Sequence, residues 1–296
     1  MFNNILGNER IKEVLENLIK LNKISHSYLF IGIEGIGKKM IAKEFAKMIL
    51  CTDNNRYCGK CKSCIEFDTN NNPDFKIIEP DGNSLKIEQI REFQNKVYEK
   101  PIISNKKVYI INDSDKMTPE AQNCLLKTLE EPPEFVTIIL IGSNENAFLS
   151  TIKSRCMILH FDKISNNDIE KYLQDNYQIK INSKILIDGF QGSIGKAIQL
   201  KEKQEDYENI EQIIYSLETK DKIDIVNMSE KIYSAKEDRF EILDYMNIVF
   251  INLAKTSSKY ANCIGIVEDT KIRLKSNANY DMCIDNMLLN LWEMVN

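Results

Sequence analysis

Along residues 9–21, ERIKEVLENLIKL, the apolar side chains Ile11, Val14, Leu15, Leu18 and Ile19 recur at helical spacing and predict an amphipathic helix. A short apolar run follows, HSYLFIG at 26–32, which enters a glycine-rich loop, and KKMIAKEFAKMIL at 38–50 then returns to helical periodicity. Further apolar runs at 75–78, 108–111 and 135–141 alternate with helical patterns such as KIEQIREFQNKVYEK at 86–100. Short buried strands alternating with helices predict an α/β fold with a parallel sheet covered on both faces. A helix start is well marked at Thr118-Pro119-Glu120, with Thr118 as N-cap and Pro119 at the first helical position, and Pro132-Pro133 stops that helix.

After about Phe161 the strand signal fades. Ser165 and Asp168 fit a capping box, and from there to residue 296 the pattern reads as helix after helix with polar joints. Gly189, Gly192 and Gly195 suggest turns in a small helical unit, and KEKQEDYEN at 201–209 reads as a charged joint before a second one. The expected division is a sheet domain at 1–164, a small helical domain at 165–205 and a larger helical domain at 206–296.

Composition narrows the partners. A net charge of -5 over 296 residues argues against strong DNA binding by this chain alone, since phosphate-backbone binding needs clustered Lys and Arg. No basic leader pattern opens the chain and no stretch offers about 18 uncharged apolar residues, so the expectation is a cytoplasmic protein without membrane contact. His26 and His160 are the only histidines, which argues against histidine metal sites and most catalytic triads, whereas eight cysteines in a reducing compartment direct attention to metal binding.

The stretch GIEGIGKK, residues 32–39, has the G-x-x-x-x-G-K spacing of a phosphate-binding loop: Gly32, Gly35 and Gly37 free the backbone, and Lys38 stands where terminal phosphates are neutralised. The next residue is ordinarily Ser or Thr, whose hydroxyl holds Mg²⁺. Here it is Lys39, which offers no hydroxyl and brings a positive charge toward the ion's place. In P-loop ATPases another strand ends in an Asp for the metal and a Glu for the water. After the run at 108–111 those positions hold Asn112 and Asp113, although a shift of one residue would make Asp113 the ligand.

Cys58, Cys61 and Cys64 follow a C-x-x-C-x-x-C spacing, with Cys51 upstream, and the module 51–64 can close a four-thiolate tetrahedral site of the structural zinc kind. Iron–sulfur ligation is the competing reading. Cys124, Cys156, Cys263 and Cys283 are dispersed and read as core residues. In LSTIKSRC, Arg155 fits either a finger that stabilises phosphate charge in a neighbouring subunit or a surface arginine in a helix-capping salt bridge.

Taken together, HSYLF, the four-cysteine module after the P-loop helix, KIEQIRE, LLKTLEEPP at 125–133 and SRC at 154–156 resemble the delta-prime family of bacterial DNA polymerase III clamp-loader subunits. The resemblance is dense over the first 165 or so residues, with GSIGKA at 192–197 as a weak anchor beyond. It implies an AAA+ module, a small helical lid and an all-α C-terminal collar that holds a five-subunit ring with gamma/tau and delta subunits. It also implies sliding-clamp and primer–template DNA contact through the assembled loader. Within the family this chain type is a stator: it does not hydrolyse ATP, and it presents the SRC arginine, here Arg155, to ATP on the adjacent gamma/tau subunit. A lid position that carries a nucleotide-sensing arginine in active relatives is Gly195 here. The resulting expectation is structural zinc on Cys51, Cys58, Cys61 and Cys64, and a loop that holds at most a nucleotide without turning it over. An active gamma/tau-like motor is the alternative.

Overall fold

The computed structural model describes residues 2, 5–53, 57–179, 184–233 and 236–296. Residues 54–56 of the cysteine module, 180–183 and 234–235 of the two helical domains, and 1 and 3–4 of the N-terminal segment lie outside the described residues. The chain divides into two compact units, Met1–Tyr172 with Gly192–Gly195, and Leu173–Gln191 with Lys196–Asn296.

The first unit runs α1 (Glu9–Lys20), β1 (Ser27–Ile31), α2 (Lys38–Leu50), α3 (Lys62–Asp68), β2 (Phe75–Ile78), α4 (Ile87–Val97), β3 (Lys107–Ile111), α5 (Pro119–Glu130), β4 (Val136–Gly142), α6 (Ser150–Lys153), β5 (Met157–His160) and α7 (Asn166–Tyr177), the last of which crosses the division. Its five strands form one sheet in the order β2-β3-β4-β1-β5, and every pairing is parallel. The three inner strands β1, β3 and β4 are buried at every position, which is why each reads as a largely apolar run, broken only by Ser27, Lys107 and Thr137, rather than an alternation.

Alternate residues of β1 serve opposite faces. Leu29 and Ile31 join a core with Ile90 and Phe93 of α4, Ile111 of β3 and Leu125 of α5. On the other face Tyr28 packs edge-on against Phe45 of α2, ring centroids 5.2 Å apart. Thr118 caps α5 as expected, its hydroxyl accepting from the Ala121 amide.

The second unit is helical, with α8 (Lys184–Gly189), α9 (Ile194–Ser216, whose first residues belong to the first unit), α10 (Lys222–Asn227), α11 (Glu230–Tyr233), α12 (Arg239–Ala254), α13 (Lys259–Lys275) and α14 (Tyr280–Val295). Leu243, Met246, Val249 and Phe250 of α12, Val267 of α13 and Ile284, Leu288 and Leu291 of α14 are buried. One expectation is corrected here: the charged stretch 201–209 is not a joint but the interior of the 23-residue helix α9. Lys, Glu and Gln are good helix formers and the stretch contains no Gly or Pro, so polarity alone does not break it. Lys203 within it also bridges Asp238 and Glu241.

Candidate functional site at the two edges of the sheet

At the C-terminal edge of the sheet, β1 passes through residues 32–37 into α2. Gly35 and Gly37 have φ of 73° and 97°, a left-handed backbone that favours glycine, and this turn places the start of the 13-residue α2 directly after the strand. Amides at such a helix start can receive an anion. Lys38 is 8% exposed and donates to the carbonyls of Gly32 at 2.5 Å and Ile33 at 2.8 Å. Burial holds its pKa below the usual lysine range, while the negative charges of Asp115, Glu34 and Asp113 pull it the other way.

Lys39 does not direct its charge toward a metal position: its ammonium meets the carboxylate of Glu79, just beyond β2, at 2.6 Å. Asn112 is the first residue past β3 and continues the strand pairing, its amide donating to Ile78 O at 2.9 Å. Asp113, in a left-handed conformation with φ of 47°, pairs with Lys116 at 3.0 Å. Asp115, which the sequence reading passed over, accepts from the amides of Ser143 and Asn144 and from the Ser143 hydroxyl, at 2.9–3.1 Å, and so ties the end of β3 to the end of β4. The amide of Gly195 donates to Gly35 O at 2.9 Å, and a Cβ on Gly195 would stand 2.9 Å from the Gly35 Cα. A side chain at either glycine would part the two backbones. The edge thus retains a phosphate-type turn and its lysine, with the Lys39 ammonium drawn off to Glu79 and Asn112 following directly on β3.

Arg155 stands at the opposite edge, two residues before β5, where the Ser27 hydroxyl at the start of β1 donates to Arg155 O at 2.6 Å. Its guanidinium donates to Glu130 Oε1 at 2.7 Å, to Thr151 O at 3.0 Å and to Ser154 Oγ at 3.2 Å. The whole of β1, five residues or about 16 Å of extended chain, separates it from the loop at 32–37.

The cysteines gather beyond the C-terminal end of α2, at this same N-terminal edge. Their four Sγ atoms lie within 4.8 Å of one another, Cys51 being 3.7 Å from Cys58 and 4.0 Å from Cys61. A tetrahedron with metal–sulfur bonds of about 2.3 Å has edges of about 3.8 Å, so the spacing fits a four-thiolate metal site. Amides of Lys60 and Cys61 point at Cys58 Sγ, and that of Cys64 at Cys61 Sγ, donors suited to thiolates. Burial raises the Cys61 thiol, but hydrogen bonds from Thr52 and from the Cys64 amide outweigh it and bring it down to about 6.

A buried polar network not foreseen from the sequence joins this module to the sheet. Ser63 of α3 bonds Ser104 at 2.9 Å, Ser104 Oγ donates to Leu50 O at the end of α2, and Asn72 donates to Ser63. Asp74, 2% exposed, accepts three successive amides, those of Ile102, Ile103 and Ser104, each at 2.7 Å.

A parallel sheet with a phosphate-type turn after its first strand, an arginine at the far edge and a helical second unit is the architecture of AAA+ P-loop proteins. A solved Thermotoga maritima protein related to the DNA polymerase III gamma subunit superposes with a TM-score of 0.55 over 95% of this chain and 99% of that one, at 18% identity, and agrees on the fold. A family model described as DNA polymerase III, delta subunit, matches residues 7–165, more than half of the chain. DNA polymerase III subunit delta' of Bacillus subtilis is 33% identical over 206 residues, 69% of this chain and 62% of that protein. Subunit tau/gamma of Haemophilus influenzae is 34% identical over 211 residues, 68% of this chain and 30% of that one. The chain belongs to the DNA polymerase III delta subunit family, and so to the clamp-loader proteins. None of the described helices is long and apolar enough to cross a membrane.

Proposed function

We propose that this chain is the delta-prime-type stator of a replicative clamp loader: it turns over no ATP itself and donates Arg155 to ATP bound by the adjacent gamma/tau subunit. Relatives named delta' and tau/gamma match at nearly equal identity, so the choice between the roles rests on the site residues. The observation that carries the reading is the position of Arg155 at the N-terminal edge, a full strand length from its own loop. An arginine there is too far from a phosphate held at the chain's own loop to serve it, which supports a role toward a neighbouring chain. Lys39 and Asn112 point the same way, since Lys39 offers no oxygen and Asn112 only an uncharged amide oxygen where a Mg²⁺ site favours a carboxylate.

On this reading the partners are gamma/tau and delta subunits in a hetero-pentamer, with the sliding clamp and primed DNA engaged by the assembled cytoplasmic loader. Residues 165–205 serve as the lid and 206–296 as the collar, the continuous helix α9 spanning the join. Exposed Ile251, Ile272 and Met282 on α12, α13 and α14 give the collar apolar surface for neighbours. The four cysteines hold structural zinc, because all four ligands are spent in one closed site. A nucleotide held weakly by Lys38 without turnover is compatible with the retained loop.

A motor subunit is the second reading, favoured by the retained Lys38 and by the one-residue shift that would make Asp113 the metal ligand. Steady-state ATPase of the purified chain separates the two: turnover at contaminant level is expected, and turnover abolished by Lys38→Ala would make the chain a motor. Metal analysis should find one zinc per chain, absent from Cys61→Ser; iron with visible absorption would replace zinc with a cluster.

A further inference from the structure

Arg155 is fixed at its backbone and restrained at its side chain. Ser27 Oγ donates to its carbonyl at 2.6 Å and its own amide donates to Ile152 O at 3.1 Å, so its Cα is pinned to the start of β1 and to α6. At the other end of the side chain, Nη2 meets Glu130 Oε1 at 2.7 Å while Nη1 reaches Thr151 O and Ser154 Oγ. Glu130 is the last residue of α5, just before the Pro132-Pro133 stop, so the cation also faces the negative end of that helix. The arginine side chain is 33% exposed and that of Glu130 49%, so the pair is wetted by solvent.

We infer that Glu130 is a positioning residue that regulates Arg155, holding the guanidinium against its own subunit until the phosphates of a neighbouring nucleotide draw it off. The inference rests on the reading of Arg155 as an arginine donated in trans. A solvent-exposed ion pair biases a population by a factor of about two to five, enough to set the resting position and too little to resist a stronger anion. A triphosphate offers several negative charges and paired oxygens to the fork of an arginine, where Glu130 offers one carboxylate. With the backbone pinned, the exchange needs only side-chain rotation, and a carboxylate left beside the transferring phosphate would otherwise subtract from the positive charge supplied there.

The test uses the complete loader reconstituted with its cognate subunits, clamp and primed DNA, and compares wild type, Glu130→Gln, Arg155→Ala and the double variant in steady-state ATPase. Glu130→Gln removes the charge and keeps the shape. It is expected to raise kcat about two- to fivefold with KM for ATP unchanged, and the double variant is expected to match Arg155→Ala, because Glu130 then has nothing to restrain. A fall in kcat with Glu130→Gln would overturn the inference and make the carboxylate a support. An equal effect of Glu130→Gln in the Arg155→Ala background would also overturn it, since Glu130 would then act by another route. Should Arg155→Ala itself leave kcat unchanged in an assembled ring, the donated-arginine reading fails, a result distinct from failure of the restraint alone.

Discussion

The two edges of the parallel sheet are built on different terms. Ligands of open α/β sheets bind beyond the C-terminal ends of the strands, and here that edge carries the turn at 32–37, Asn112, Asp113 and the Ser143–Asn144 loop. Its charged groups are spent on one another: Lys39 on Glu79, Asp113 on Lys116, and Asp115 on the neighbouring loop. The N-terminal edge, ordinarily only structural, holds the cysteine cluster, the Ser63–Ser104–Asn72 network, buried Asp74 and the anchored Arg155. On the proposed reading, one edge lacks the metal ligands of a hydrolytic site, while the other holds the backbone of the arginine it would donate. The contrast suits a subunit that contributes half of an active site completed on its neighbour.

The contrast is open to direct attack. Asp74→Ala should have the largest effect on stability, because three amides lose a charged acceptor in a buried setting; a loss of about 4 kcal/mol or more in denaturant unfolding is expected. At the other edge, Gly35→Ala sets a Cβ 2.3 Å from Ser193 Oγ at a φ of +73°, and about 2 kcal/mol should be lost. Thr118→Ala, which removes a single neutral cap at the same edge, should cost about 1 kcal/mol. If either change at the C-terminal edge proved costlier than Asp74→Ala, the bracing would not be concentrated where the polar network stands.

Much of the fold was legible in the sequence because burial and periodicity are local signals. The fully buried strands appear as apolar runs, and the Thr118-Pro119 start and the phosphate-type turn appear as spelled motifs. The four cysteines were legible for the same reason, their spacing being set within fourteen consecutive residues from the end of α2 to the first turn of α3. What stayed hidden was made by topology. Asp74 meets amides 28–30 residues away only because β2 and β3 are neighbours, and Glu130 reaches Arg155 across 25 residues because the end of α5 comes to the segment before β5. The helical α9 was misread for a different reason, since charge marks exposure and not the absence of a helix.

The most direct test is single-turnover hydrolysis at the interface between this chain and its neighbour, in a reconstituted loader with clamp and primed DNA, comparing Arg155→Ala with Lys38→Ala. Arg155→Ala should slow hydrolysis at that one interface by about 10³-fold in rings that still assemble, and Lys38→Ala should leave it within about twofold of wild type. The reverse order, with Lys38 essential and Arg155 dispensable, would contradict a donated arginine and place hydrolysis in this chain's own loop.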